Sequence, residues 1–185
     1  MKLSEEQIKQ FNEEGYIFLP SCFSKDEITV LNDAAAEIYK SDREEVWRES
    51  SGVARTAFAA HTYNEAHRRL GAHPRLITPI EQLLGGDVYM HQYKINAKAA
   101  FDGDVWQWHQ DYGYHYKEFF YPDFVSLMLA LDPCTRENGC LRVLRGSHRL
   151  GRLEHQSSGS QLIADPERVG WAHKEMEEVH CEMTP

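Results

Sequence analysis

The residues with the clearest chemical potential are His109 and Asp111, in the stretch Val105-Trp106-Gln107-Trp108-His109-Gln110-Asp111. Aromatic and β-branched residues fill this stretch and Asp102-Gly103-Asp104 bounds it upstream, so it reads as the end of a β-strand. Successive strand side chains point to opposite faces, which puts His109 and Asp111 on the same side. An imidazole and a carboxylate on one rigid edge supply two ligands of a 2-His-1-carboxylate iron site, which leaves the other face of the ion open. The competing reading is a surface pair, solvated or bonded to itself. With 10 histidines in the chain, on the order of one His-x-Asp arises by chance.

The elements that must position this pair follow from local pattern. Residues 87–96 read as a strand with Gln92, Lys94 and Asn96 on one face and His91, Tyr93 and Ile95 on the other. The polar face is either a solvated outer face or the wall of a pocket. After Asp111 comes an aromatic loop with Tyr112, Tyr114, His115, Tyr116, Phe119, Phe120 and Tyr121, more aromatic than a solvated turn needs. A pocket rim and a packed lid are both consistent with it. Residues 124–131 form an apolar run that suits a strand buried on both faces. Arg136-Glu137-Asn138-Gly139 then signals a turn, and 140–144 a return strand.

Upstream, Ser4-Glu5-Glu6-Gln7 and Ser24-Lys25-Asp26-Glu27 are capping boxes that open two helices, the first stopped by Gly15. A short strand is expected at 16–20, and a buried face of Ile28, Leu31, Ala35 and Ile38 on the second helix. Residues 41–52 suit a loop; 53–70 carry no clear pattern, and His61, His67, Arg68 and Arg69 are expected to face solvent. Pro74 begins a third helix that Gly85-Gly86 ends. Residues 149–170 read as a long loop, 169–178 as a short helix and 179–183 as a strand. Helices first and short strands later indicate an α+β domain on an antiparallel sandwich or barrel.

Composition narrows the class. A chain of 185 residues fits a single domain spanning 1–185 and can bury a core. The net charge of −9 argues against a general nucleic-acid or anionic-membrane surface, which needs basic patches. Four cysteines without CxxC or framework spacing suit a reducing, cytoplasmic setting. The N-terminus lacks the apolar stretch of a signal peptide, and no apolar run approaches a membrane span. Oligomeric state is not expressed in these features.

Taken together, His109-Gln110-Asp111, the upstream His91-Gln92-Tyr93-Lys94-Ile95-Asn96, and the downstream 137–148 run ending Arg145-Gly146-Ser147-His148 resemble the phytanoyl-CoA dioxygenase family. The strand before W-H-x-D is similar to its ectoine-hydroxylase branch, and residues 13–28 resemble the family's opening. The resemblance touches most of 4–150. It implies a double-stranded β-helix (jelly-roll) core with N-terminal helices and a dioxygenase that uses Fe(II), 2-oxoglutarate and O2. Such an enzyme hydroxylates a small-molecule substrate and releases succinate and CO2.

Carried over by position, His109 and Asp111 match the first two iron ligands. Asn96, Lys94 and Gln92 match cosubstrate or pocket positions, and Trp108 an aromatic beside the metal. Tyr112, Tyr114 and His115 are candidates for substrate contact, and His148 for a turn residue. A carboxylate at 111 favours hydroxylation over halogenation, because the related halogenases vacate that position for chloride. The family's third ligand, a histidine after P-G-D, and its 2-oxoglutarate-binding arginine are expected beyond Pro185, so the chain reads as a C-terminally incomplete oxygenase with an incomplete barrel. His155, His173 and His180 are the in-chain alternatives for the third ligand. Tyr112-Gly113-Tyr114-His115 departs from the ectoine-hydroxylase continuation, which argues against ectoine as substrate. Two other readings stay open: a catalytically inactive jelly-roll binding module, and a truncated non-enzymatic form whose open sheet edge recruits another chain.

Overall fold

A computed structural model describes residues 1–98, 106–159 and 161–185. The chain opens with two helices whose starts are set by the residues just before them. In α1 (Glu5–Glu14) and α2 (Lys25–Lys40), Ser4 and Ser24 accept the backbone N–H of Gln7 and Glu27, whose side chains answer reciprocally. Each box satisfies two amide donors that the first helical turn leaves open. Gly15 ends α1 at φ 84, and the His148 ring lies 2.3 Å from where a side-chain carbon would start, so glycine is required twice over. The Nε2–H of His148 donates to the Asn12 carbonyl at 3.1 Å, which ties the 147–150 turn to α1. Residues 16–20 run between the helices without forming a strand.

The segment without sequence pattern holds more structure than expected. β1 (Val46–Arg48) and β2 (Ala54–Phe58) pair antiparallel, followed by α3 (Ala60–Tyr63) and α4 (Glu65–Gly71). Next come α5 (Pro74–Leu84) and β3 (Lys94–Asn96), which completes the sheet β1-β2-β3. The strand expected over 87–96 therefore shrinks to its last three residues, the only ones that lie opposite Thr56, Ala57 and Phe58. Among the surface-assigned residues, Arg68 and Arg69 are exposed beside Glu65, but His67 is only 1% exposed. Its Nδ1 meets the Tyr93 hydroxyl at 2.8 Å. The Nδ1 of His61 is buried as well. His67 shares the inward side of α4 with Leu70, three residues on, and the Tyr93 hydroxyl gives it a partner there.

The core has two clusters, both along α2. Ile28 and Leu31 join Leu70 and Leu76, while Ala35 and Ile38 join Val46, Ala57, Ala60 and Ile95. Tyr93 and Leu131 border both. The 124–131 run delivers Leu129 and Leu131 to this core, but as an irregular segment with Leu127 and Met128 exposed. Apolar content drove its burial in part; strand form needs a hydrogen-bonded neighbouring strand, and the Leu131 carbonyl instead accepts from the Asn32 amide at 2.8 Å.

Downstream lie α6 (Asp111–His115), β4 (Leu141–Leu144), the hairpin β5 (His155–Ser158) and β6 (Gln161–Ala164), α7 (Pro166–Glu175) and β7 (Glu178–Cys181). β4 pairs with β7, so the return strand finds its partner near the C-terminus. The β5–β6 hairpin occupies the region expected to be a loop. The molecule thus mixes helices with one three-stranded and two two-stranded sheets, and these do not close a barrel among the described residues. Among the described residues no helix is long and apolar enough to cross a membrane.

Candidate metal centre

His109 and Asp111 meet, though not by the route expected. Residues 106–110 are irregular and Asp111 is the first residue of α6, so the two side chains do not share a strand face; Val105 and Asp102-Gly103-Asp104 lie outside the described residues. The strand-to-helix turn replaces period-2 alternation as the device that brings them together. His109 Nε2 and Asp111 Oδ1 stand 3.5 Å apart, with both side chains partly buried.

Each donor is aimed by a second contact. His109 Nδ1 lies 2.6 Å from the Gln107 carbonyl, which can only accept, so Nδ1 carries a proton and Nε2 is the ring nitrogen that faces Asp111. Asp111 Oδ2 accepts the Ser126 hydroxyl. Burial pulls the His109 pKa down, but its bonds to Asp111 and the Gln107 carbonyl more than reverse this and leave it raised. The Asp111 carboxyl falls to about 2, chiefly through the hydrogen bond with His109, then through the Ser126 hydroxyl and the positive charges nearby. In this form the pair shares a proton between two donors that a divalent cation would take over. The donor set, one imidazole nitrogen and one carboxylate oxygen with backbone and hydroxyl supports behind them, fits iron.

Lys94 and Asn96 share a face of β3 opposite the buried Ile95. The Lys94 charge acts on both His109 and Asp111. Asn96 Oδ1 accepts the Thr56 hydroxyl at 3.1 Å. Arg55, which the sequence reading passed over, lies with its guanidinium 4.5 Å from the Trp106 ring, and the Lys94 ammonium is 5.8 Å from the same ring. Two cations therefore share one aromatic beside the pair. Strand alternation does not group them, since Lys94 pairs with Phe58 while Arg55 falls on the alternate face of β2; they meet at the Trp106 ring.

Tyr114 packs edge-to-face on His109 at 5.1 Å and donates its hydroxyl to the Leu162 carbonyl at 2.6 Å. The remaining expected residues go elsewhere. Gln92 is exposed and outside β3. The Trp108 ring packs on His173 at 4.8 Å with the Arg142 guanidinium 5.2 Å away. The Tyr112 hydroxyl reaches the carbonyls of Phe119 and Phe120, and His115 faces His91 and Glu118.

The in-chain alternatives for a third ligand are occupied. His155 Nε2 accepts the Gln110 N–H at 3.0 Å and its Nδ1–H donates to the Leu153 carbonyl at 3.0 Å. His173 and His180 both approach Glu178. Among the described residues no third histidine, cysteine or carboxylate joins His109 and Asp111 in a three-ligand cluster.

The chain as a whole is similar to known proteins. Residues 11–185 match the family model "Phytanoyl-CoA dioxygenase (PhyH)". An L-proline trans-4-hydroxylase of Streptomyces griseoviridis is 36% identical over 148 residues, covering 78% of this chain and 55% of the relative. An ectoine dioxygenase of Sphingopyxis alaskensis is 34% identical over 154 residues, covering 80% and 50%. The chain thus spans about half the length of these curated relatives. Among solved structures, EctD from S. alaskensis with 2-oxoglutarate and 5-hydroxyectoine superposes with a TM-score of 0.83 at 28% identity, covering 99% of this chain and 65% of that one. The same protein with bound Fe gives 0.82 at 29%, covering 99% and 66%. The chain belongs to the phytanoyl-CoA dioxygenase family.

Proposed function

We propose that this chain carries two of the iron ligands of an Fe(II)- and 2-oxoglutarate-dependent dioxygenase, built on a jelly-roll core, that hydroxylates a small molecule. The observation that carries the reading is the convergence of His109 Nε2 and Asp111 Oδ1, with the imidazole pinned by the Gln107 carbonyl and the carboxylate by Ser126. Relatives named ectoine dioxygenase and L-proline trans-4-hydroxylase support a small-molecule substrate and a hydroxylating outcome.

Bound iron would supply the redox chemistry by which O2 converts 2-oxoglutarate to succinate and CO2 and delivers its second oxygen atom to a substrate C–H bond. The chain's own residues prepare that chemistry. Gln107 keeps the Nδ1 proton in place, so Nε2 is the nitrogen left to bind the ion once the proton it shares with Asp111 is released. Ser126 holds one Asp111 oxygen and turns the other toward His109. Lys94 puts a positive charge on the adjoining wall, which suits a dicarboxylate cosubstrate, and Asn96 adds an amide on the same face of β3, while Arg55 is paired with Glu49 at 3.5 Å. The Tyr114 ring shields the imidazole from bulk water. Trp108 acts from behind, through its packing on His173.

Anaerobic addition of Fe(II) and 2-oxoglutarate tests the reading. The expected result is a weak visible charge-transfer band that His109→Ala and Asp111→Ala both abolish, together with substrate-coupled succinate formation. A wild-type protein that takes up no iron and shows no band would make the fold a binding module instead.

A further inference from the structure

Beyond the iron pair, a second group of ligating side chains converges on the far side of Tyr114. His115 lies at the end of α6 and Glu118 follows three residues later, where its N–H donates to the His115 carbonyl at 2.8 Å and closes a turn. That turn sets both side chains on one side. His91 enters from the irregular segment before β3. Its ring packs edge-to-face on His115 at 4.7 Å and on Phe119 at 4.8 Å, with Phe124 at 6.1 Å.

The polar atoms then meet over this aromatic floor. His91 Nε2 is 3.3 Å from His115 Nδ1 and 3.3 Å from Glu118 Oε2, and His115 Nδ1 is 3.4 Å from Glu118 Oε1. Two imidazoles so close cannot both be cationic without repulsion, and the single carboxylate straddles them. A cation between the three relieves that conflict. A tetrahedral zinc ion with bonds of about 2.0–2.1 Å keeps its donors about 3.4 Å apart, which is the spacing found. Two imidazoles and a carboxylate, with no thiolate, are donors that zinc accepts. The phenylalanines supply the dry side that holds the rings in place.

We propose that His91, His115 and Glu118 form a second metal site, taking a four-coordinate Zn²⁺-class ion with three protein ligands and one open position. The site is separate from the iron pair: the Tyr114 ring stands 5.1 Å from His109 on one side and 6.4 Å from His115 on the other. The function of the iron pair and the existence of this site can fail independently.

Cobalt(II) tests it, because four-coordinate cobalt absorbs strongly in the visible and six-coordinate cobalt weakly. The wild-type protein should develop the strong absorption with Co²⁺ and lose it when Zn²⁺ is added. Asp111→Ala, which disables the iron pair, should keep it. His91→Ala and Glu118→Gln should each weaken Co²⁺ binding at least about tenfold, the loss that even an outer partner of a metal ligand produces. Glu118→Gln preserves shape at an exposed position, so its result does not depend on a folding defect. No strong absorption in the wild type, its survival in both ligand variants, or its loss in Asp111→Ala would overturn the proposal and leave a hydrogen-bonded His–His–Glu cluster.

Discussion

The imidazole of His155 stands so close to the backbone of Gly113 that a side-chain carbon at 113 would fall 2.0 Å from His155 Cε1 and 2.3 Å from Nδ1. The same ring accepts the Gln110 N–H and donates to the Leu153 carbonyl. A histidine of the β5–β6 hairpin thus clamps the turn that carries Asp111. It supports the metal pair without touching the metal.

Gly113→Ala should therefore disturb the centre from behind. The added methyl overpacks a site where both ring nitrogens are already bonded, and overpacking costs about 1–3 kcal/mol. Urea denaturation should show a loss in that range, with weaker metal uptake. Adding His155→Ala removes the clash, so the double variant should lose less than the sum of the two single losses. Strict additivity would mean that the contact carries no strain.

Ser126→Ala removes the hydroxyl that holds Asp111 Oδ2. Losing a partner behind a metal ligand typically costs about 10–100-fold in metal affinity, and a divalent-ion titration should show that drop while the thermal midpoint stays close to wild type. Ser126→Thr, which restores the hydroxyl, should recover most of it.

His67 should give the fold a pH limit. It is almost fully enclosed, its Nε2 finds no partner among the described residues, and burial pushes its pKa down. The unfolded imidazole takes a proton at about 6.5, so on acidification the unfolded chain is protonated first. His67 therefore costs no stability above about pH 6.5 and a growing amount below it, until the folded-state pKa is passed. Urea midpoints followed from about pH 7.5 to about pH 5.5 should fall more steeply for wild type than for His67→Leu combined with Tyr93→Phe, which leaves no orphaned hydroxyl. Parallel curves would assign the acid sensitivity to other histidines.

How far the sequence reaches can be judged at particular residues. Ser4, Ser24, Pro74 and Gly85 mark helix ends through local chemistry, and the structure keeps each of them. The apolar runs at 16–20 and 124–131, and the alternation over 87–96, say only which side chains suit burial. Whether such a run becomes a strand depends on a neighbour to bond with, which a single segment does not encode. That is why β3 has three residues where ten were expected. His109 and Asp111 come together through the turn into α6 and not through a shared strand face, because period-2 alternation holds only inside a strand. The clamp by His155 was hidden because β5 is built from His, Gln and Ser, which read as loop. Arg55 and His67 were hidden in a segment with no periodicity to follow.

The central claim, that His109 and Asp111 together hold a metal ion, is tested most directly by imidazole ¹⁵N NMR with Mn²⁺ in a His91→Ala background. The account predicts that His109 is protonated at Nδ1 before the ion is added, and that substoichiometric Mn²⁺ broadens its Nε2 signal selectively. In Asp111→Ala the broadening should vanish. A His109 signal indifferent to the ion, or broadened equally without Asp111, would contradict it.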